Sequence, residues 1–192
     1  FAAFRSPFED FRNDEPRRIT LLKSLIRVIK RNANKGFSVA LDLAAFQKVA
    51  DLYKIARPLN RAYPLAAAVC QDIIDVWLKG KHPGCGIQHI IEAGDTGQGA
   101  YVHLARNVGK PVTVMPKIDP VSGERLAQFE AADFLAWERH KLFGEALESD
   151  RVKLRAPIMA MRKHLPHDGR VMDEAGLIGW CKANEFPKQS LD

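Results

Sequence analysis

The stretch Ile87–Met115, IQHIIEAGDTGQGAYVHLARNVGKPVTVM, decides the fold. Ile87 to Ile91 (IQHII) is a short apolar run bounded by turn signals, the pattern of a buried strand. It ends in Glu92-Ala93-Gly94-Asp95-Thr96-Gly97-Gln98-Gly99, after which Ala100, Leu104 and Val108 fall in helical register and Gly109 stops the helix. Pro111 to Met115 (PVTVM) reads as a second strand. Strand, helix and strand in so short a span make a βαβ unit, which predicts a parallel pair with a right-handed crossover and therefore an α/β domain.

Working outward, Asp14-Glu15-Pro16 has the acid-then-proline form of a helix start, and Ile19, Leu22, Ile26 and Ile29 repeat at helical spacing, so 16–32 reads as an amphipathic helix. Its other face carries Lys23, Arg27, Lys30 and Arg31, either a solvated face or an edge that contacts phosphate. Phe37 to Leu43 (FSVALDL) reads as a strand and 44–55 as a short helix. Pro64 opens another helix, with Leu65, Val69, Ile73 and Trp77 four apart on one face and Gly80 and Pro83 at its end. Asp119 to Gly123 is a turn before a long helix from about Glu124 to Glu145. Residues 151–192 read as a helical tail, Val152 to His164 and Asp173 to Asn184 around a Pro/Gly break, packing on the sheet or covering it as a lid. Two domains are thus expected: 1–150, the α/β body, and 151–192, a helical extension. Phe1, Phe4, Phe8 and Phe11 make an aromatic start that should pack on something.

The composition bounds the class. A chain of 192 residues that is 46% hydrophobic can bury a core without staples and is not a disordered polymer. No apolar run approaches the roughly 20 residues of a membrane span, so no membrane association is expected. Three cysteines with no C-x-x-C pair argue against a disulfide framework and for a reducing, cytoplasmic setting. His82, Cys85 and His89 cluster, but a zinc site needs a fourth ligand and a tighter motif. The net charge of +6 is compatible with a nucleic-acid partner.

In a parallel sheet ligands bind beyond the carboxyl ends of the strands, which is where Glu92 stands. Asp95, just before a helix N-terminus, is either a cap (as is Thr96) or a functional acid. The Gly97–Gly99 turn could receive a phosphate at the helix N-terminus, although GDTGQG lacks the Lys-Ser/Thr ending of a Walker motif. Asp133 shares a helical face with Phe129, Ala136 and Trp137, beside the small Ala131 and Ala132. An acid on an apolar stripe is either tied by a salt bridge or amide, or aimed at the sheet end; Glu130 is a second acid or merely exposed. If Glu92 and Asp133 meet, their repulsion calls for a divalent cation, and oxygen ligands suit Mg2+ or Mn2+. Two such ions about 4 Å apart activate water and stabilise the leaving oxygen in phosphodiester cleavage.

Two blocks, HIIEAGDTGQG (His89 to Gly99) and FEAADFLAWE (Phe129 to Glu138), together with Asn60-Arg61-Ala62-Tyr63-Pro64 and the placement of FSVALDL, resemble the domain-of-unknown-function family thirty-eight hundred, a bacterial, archaeal and phage family. The resemblance covers most of the chain. It implies an RNase H-like mixed sheet flanked by helices and makes Glu92, Asp95 and Asp133 candidate metal-binding and catalytic residues. The family's N-terminal Asp-Glu-Ser block is absent, which implies that roughly 50 to 70 residues precede Phe1 or belong to a separate piece. The expected function is a Mg2+- or Mn2+-dependent nuclease or phosphodiesterase, with the nucleic acid lying across Lys23, Arg27, Lys30 and Arg31. The alternatives are a non-catalytic RNase H-like binding or scaffold module, and a small-molecule phosphate binder using Gly97–Gly99.

Overall fold

The computed structural model describes residues 13–123, 127–148 and 154–189. The elements in chain order are α1 (Glu15–Asn32), β1 (Gly36–Leu41), α2 (Leu43–Leu52), α3 (Ala62–Lys81), β2 (His89–Glu92), α4 (Gln98–Asn107), β3 (Val112–Met115), α5 (Ala127–Glu148), α6 (Ala156–Arg162), β4 (His167–Met172) and α7 (Glu174–Ala183). The protein is mixed α/β. Among the described residues its strands form two separate two-stranded sheets, β1–β4 and β2–β3, rather than one mixed sheet. The expected aromatic start and the 150/151 boundary lie outside the described residues.

Two compact units divide the chain: Phe1–Gly36 with Asp133–His167, and Phe37–Ala132 with Asp168–Asp192, the boundary falling inside α5. The second holds the α/β body. Asp42 caps α2, its carboxylate accepting from the amides of Ala44 (2.9 Å) and Ala45 (3.1 Å), a bond set worth about 1 kcal/mol. That start aims Ala45, Phe46 and Val49 inward onto Leu65 and Val69 of α3 and Leu177 and Cys181 of α7. A smaller cluster joins Tyr101, Val102 and Ala105 of α4 to Val112 of β3.

The βαβ reading of Ile87–Met115 holds as a parallel β2–β3 pair across α4, in register His89↔Val112, Ile90↔Thr113, Ile91↔Val114 and Glu92↔Met115. Its details differ. The strand starts at His89, and Ile90 is 54% exposed, so β2 is not buried on both faces. The buried face of α4 is Tyr101, Val102 and Ala105, whereas Val108 is 63% exposed. Tyr101 offers more area than Ala100, and its hydroxyl finds a partner inside, so the aromatic sets the rotation of the helix.

The tail is not purely helical. The Pro/Gly break that separates its two helices contains β4, which pairs with β1. The amide of Gly36 donates to the carbonyl of Pro166 (2.9 Å) and that of Asp42 to Met172 (3.1 Å), a constant offset that makes the pair parallel. The six residues HDGRVM hold one buried side chain, Met172, so no apolar alternation announces the strand.

In the first unit, Asp14 caps α1 by accepting from the Arg17 amide (2.9 Å). Ile26 and Ile29 are buried, and α1 packs on α6, whose Ile158 and Met161 point inward. Ile19, at the outer end of the expected apolar stripe, is exposed. Among the described side chains of α5 the buried acid is Glu138, at 1% exposure, with Arg155 Nη1 3.1 Å from its Oε1. The Arg155 guanidinium also lies over the Trp137 ring, 4.4 Å from its centroid.

Candidate functional site

The carboxyl ends of β2 and β3 lie side by side because the strands are parallel and in register. Glu92 closes β2 opposite Met115, and the amide of Ala93 donates to the Met115 carbonyl (2.8 Å). Two residues beyond Met115 comes Lys117. Its Nζ stands 3.8 Å from Glu92 Oε2 and 3.8 Å from Glu130 Oε1, the first acid of α5. Each of the three side chains is about 30% exposed. A strand-end acid and a helix acid therefore do share one spot, around one ammonium. Two carboxylates and one ammonium leave that spot with a formal charge of −1.

Asp133 is exposed, while among the described side chains of α5 Phe129, Phe134 and Glu138 are buried. The spacing 134 to 138 wins because Phe134 fills the interior and Glu138 has Arg155 to compensate its charge. Asp133 falls in the first unit and Glu92 in the second.

The loop after Glu92 is closed by one side chain. Gln98 donates its amide nitrogen to the Glu92 carbonyl and accepts from the Gly94 amide (3.2 Å). These bonds span Ala93 to Gly97 and hold the strand end against the start of α4. Gly97, at φ +93°, is the N-cap of α4, and neither Asp95 nor Thr96 caps the helix. A Cβ on Gly97 would sit 3.2 Å from Pro64 Cδ, so the turn approaches α3 closely. Asp95 is exposed, and its charge, after burial, is the second cause that raises the Tyr63 phenol above its ordinary value.

The opposite ends of these strands carry a second polar group. Lys110 pairs with Asp75, and Tyr101 donates its hydroxyl to Gln71 Oε1 (2.7 Å) inside the α3–α4 contact. Burial lowers the His89 imidazole pKa, with Asp75 opposing and Lys110 adding to the shift. These pairs satisfy groups that the packing of α3 on α4 takes from water.

On α1, Lys23, Arg27 and Arg31 are exposed and Lys30 is half-buried. Among the described residues, no group of three or more His, Cys, Asp and Glu side chains is placed to hold a metal ion, and His82, Cys85 and His89 are not such a group. No described helix is long and apolar enough to cross a membrane. Sequence reasoning missed Lys117 and Gln98. Lys117 was findable by the rule that located Glu92, since it follows the carboxyl end of the partner strand. No family model, no curated protein and no solved structure matches the chain.

Proposed function

We propose that the chain is an RNase H-like, metal-dependent phosphodiesterase that acts on nucleic acid. The observation that carries this reading is the meeting of Glu92 and Glu130 beside Lys117, beyond the carboxyl ends of a parallel strand pair. Hard oxygen donors at such a position suit Mg2+ or Mn2+, for which Glu92, Asp95 and Asp133 are the ligands implied by the family resemblance. A bound ion of this kind supplies Lewis-acid polarisation of a phosphoryl oxygen and a more acidic water.

The chain's own residues have distinct parts. Glu92 is held at the strand end by its ladder bond neighbours and by Gln98 on its carbonyl. Lys117 orients the Glu92 and Glu130 carboxylates and offers positive charge to a phosphate entering beside them. Lys23, Arg27, Lys30 and Arg31 contact the substrate backbone. Free Cys70, Cys85 and Cys181 support a reducing, cytoplasmic setting.

The test is cleavage of single- and double-stranded DNA and RNA with Mg2+ or Mn2+, comparing the parent with Glu92→Gln and Asp133→Asn. A fall of about 100-fold or more in rate in both variants is expected, because each removes a charge from the ion site. Equal rates in parent and variants would end this reading. One observation favours a second reading, a non-catalytic binding module of the same fold: the ammonium of Lys117 already compensates part of the acidic charge. That module would bind nucleic acid without cutting it under any divalent cation.

A further inference from the structure

The excess positive charge of this protein is not spread evenly. Among the described residues, the unit Phe1–Gly36 with Asp133–His167 has 12 Lys and Arg against 6 Asp and Glu, whereas the other has 12 against 12. Within the charged unit the acids are also segregated. From 16 to 36 there is no acid and seven Lys or Arg, and from 154 to 167 there is none and three.

Tertiary structure brings these two acid-free segments together. Helices α1 and α6 pack on each other, and the four residues after each helix meet where the Gly36 amide donates to Pro166 (2.9 Å). A Cβ on Gly36 would touch His167 and Leu165, so the approach is close. The last turn of α1 carries Lys30 and Arg31; Arg162 closes α6, Lys163 is its C-cap and His164 follows. Arg139 of α5 borders the same small crevice as Arg162. None of the ion pairs among the described residues involves Lys30, Arg31, Arg162 or Lys163. Desolvation and the charges of Lys30 and Lys163 lower the His164 pKa, which agrees with their crowding. Cations at helix C-termini also answer the helix dipoles, but two helix ends together supply only about one negative charge.

We infer that the α1–α6 junction is a two-row binding surface for the phosphodiester backbone of nucleic acid, one row formed by Lys23, Arg27, Lys30 and Arg31 and the other by Arg162, Lys163 and His164. The second row is what the tertiary structure adds. In α1 the row from Lys23 to Arg31 spans about 12 Å at 1.5 Å per residue, enough to face several phosphates of a duplex. Only the choice of nucleic acid as the anion leans on the function proposed above; the surface itself stands without the acidic site.

The experiment measures binding by fluorescence anisotropy of labelled single- and double-stranded DNA and RNA to the full chain in EDTA, so that cutting cannot contribute. The variants are Arg162→Gln with Lys163→Gln, Lys30→Gln with Arg31→Gln, and, in the neutral unit, Lys54→Gln with Lys188→Gln. Each of the first two pairs should weaken binding by about tenfold and flatten the plot of log Kd against log salt by about 2 units of slope, one for each phosphate that is no longer neutralised. The third pair should change affinity by less than about twofold if the field is local. Circular dichroism melting shows whether each variant is folded. Equal affinity for parent and Arg162→Gln/Lys163→Gln would overturn the inference. So would equal weakening in the neutral-unit pair, or binding to phosphatidylserine vesicles with none to nucleic acid. Cleavage abolished by Glu92→Gln with binding in EDTA intact separates this surface from the acidic site; failure of the nuclease assay alone leaves it standing.

Discussion

Lys117 Nζ lies 3.8 Å from Glu92 Oε2, and the same ammonium reaches Glu130 at the same distance. The contact links the carboxyl ends of two parallel strands with the start of α5. Each of its side chains is about 30% exposed, so its strength is that of a surface pair. Lys117→Met is expected to cost no more than about 1 kcal/mol in urea unfolding. Its larger effect should be on cation binding. Removing a positive charge from between two carboxylates should tighten Mn2+ binding, measured by water proton relaxation, by about tenfold for each 1.4 kcal/mol of repulsion removed. Unchanged Mn2+ affinity would mean the ammonium and the metal do not compete.

Glu138 is 1% exposed, with Arg155 as its cation. Burial raises its pKa from the ordinary value of 4.5, outweighing the opposing effect of Arg155. The unfolded chain thus ionises first as pH rises, and stability falls from about pH 4.5 until the folded-state pKa is passed. Glu138→Gln should remove that slope. Arg155→Met leaves the carboxylate buried without a cation and takes the guanidinium off the Trp137 ring. It should cost about 2 to 3 kcal/mol, less than for a fully buried pair because Arg155 is itself partly exposed. Chemical denaturation of both variants from pH 4 to 8 checks the order; a larger cost for Glu138→Gln would contradict it.

Tyr101 donates to Gln71 Oε1 inside the α3–α4 contact, and its phenol is pushed up to about 12 by burial, with Cys70, Tyr63, Asp75 and Asp72 adding to the shift. The unfolded phenol ionises near pH 10, so between pH 10 and 12 the unfolded state is favoured and the fold loses stability. Tyr101→Phe should flatten this alkaline decline. At neutral pH it should cost about 1 to 2 kcal/mol, because the Gln71 oxygen keeps its burial and loses its donor. Thermal melts at pH 7 and above pH 10 distinguish the two effects.

Gly97 sits at φ +93° with Pro64 Cδ 3.2 Å from where a Cβ would be. Gly97→Ala therefore meets both backbone strain and a ring that has little room to retreat. About 1 to 3 kcal/mol of destabilisation is expected in urea unfolding. Under the proposed function the rate of cleavage falls as well, because the Glu92–Gln98 loop depends on this turn. A variant as stable as the parent would show that the loop can rearrange freely.

Local sequence determined much of this protein. Asp14 and Asp42 bond to amides within three residues, so their caps are readable in the chain alone, and the β2–α4–β3 unit follows from apolar runs and glycine stops. The position of Glu92 at a strand end follows from the same run. Tertiary structure decided the rest, because it turns on partners distant in the chain. β4 has no apolar alternation and exists through its pairing with β1, 130 residues away in register. Glu138 rather than Asp133 became the buried acid of α5 because Arg155 is there to compensate it. Glu92 and Glu130 stand beside one ammonium because Lys117 follows the neighbouring strand. A buried charge is tolerated only where another chain segment answers it, and helical spacing carries no record of that segment.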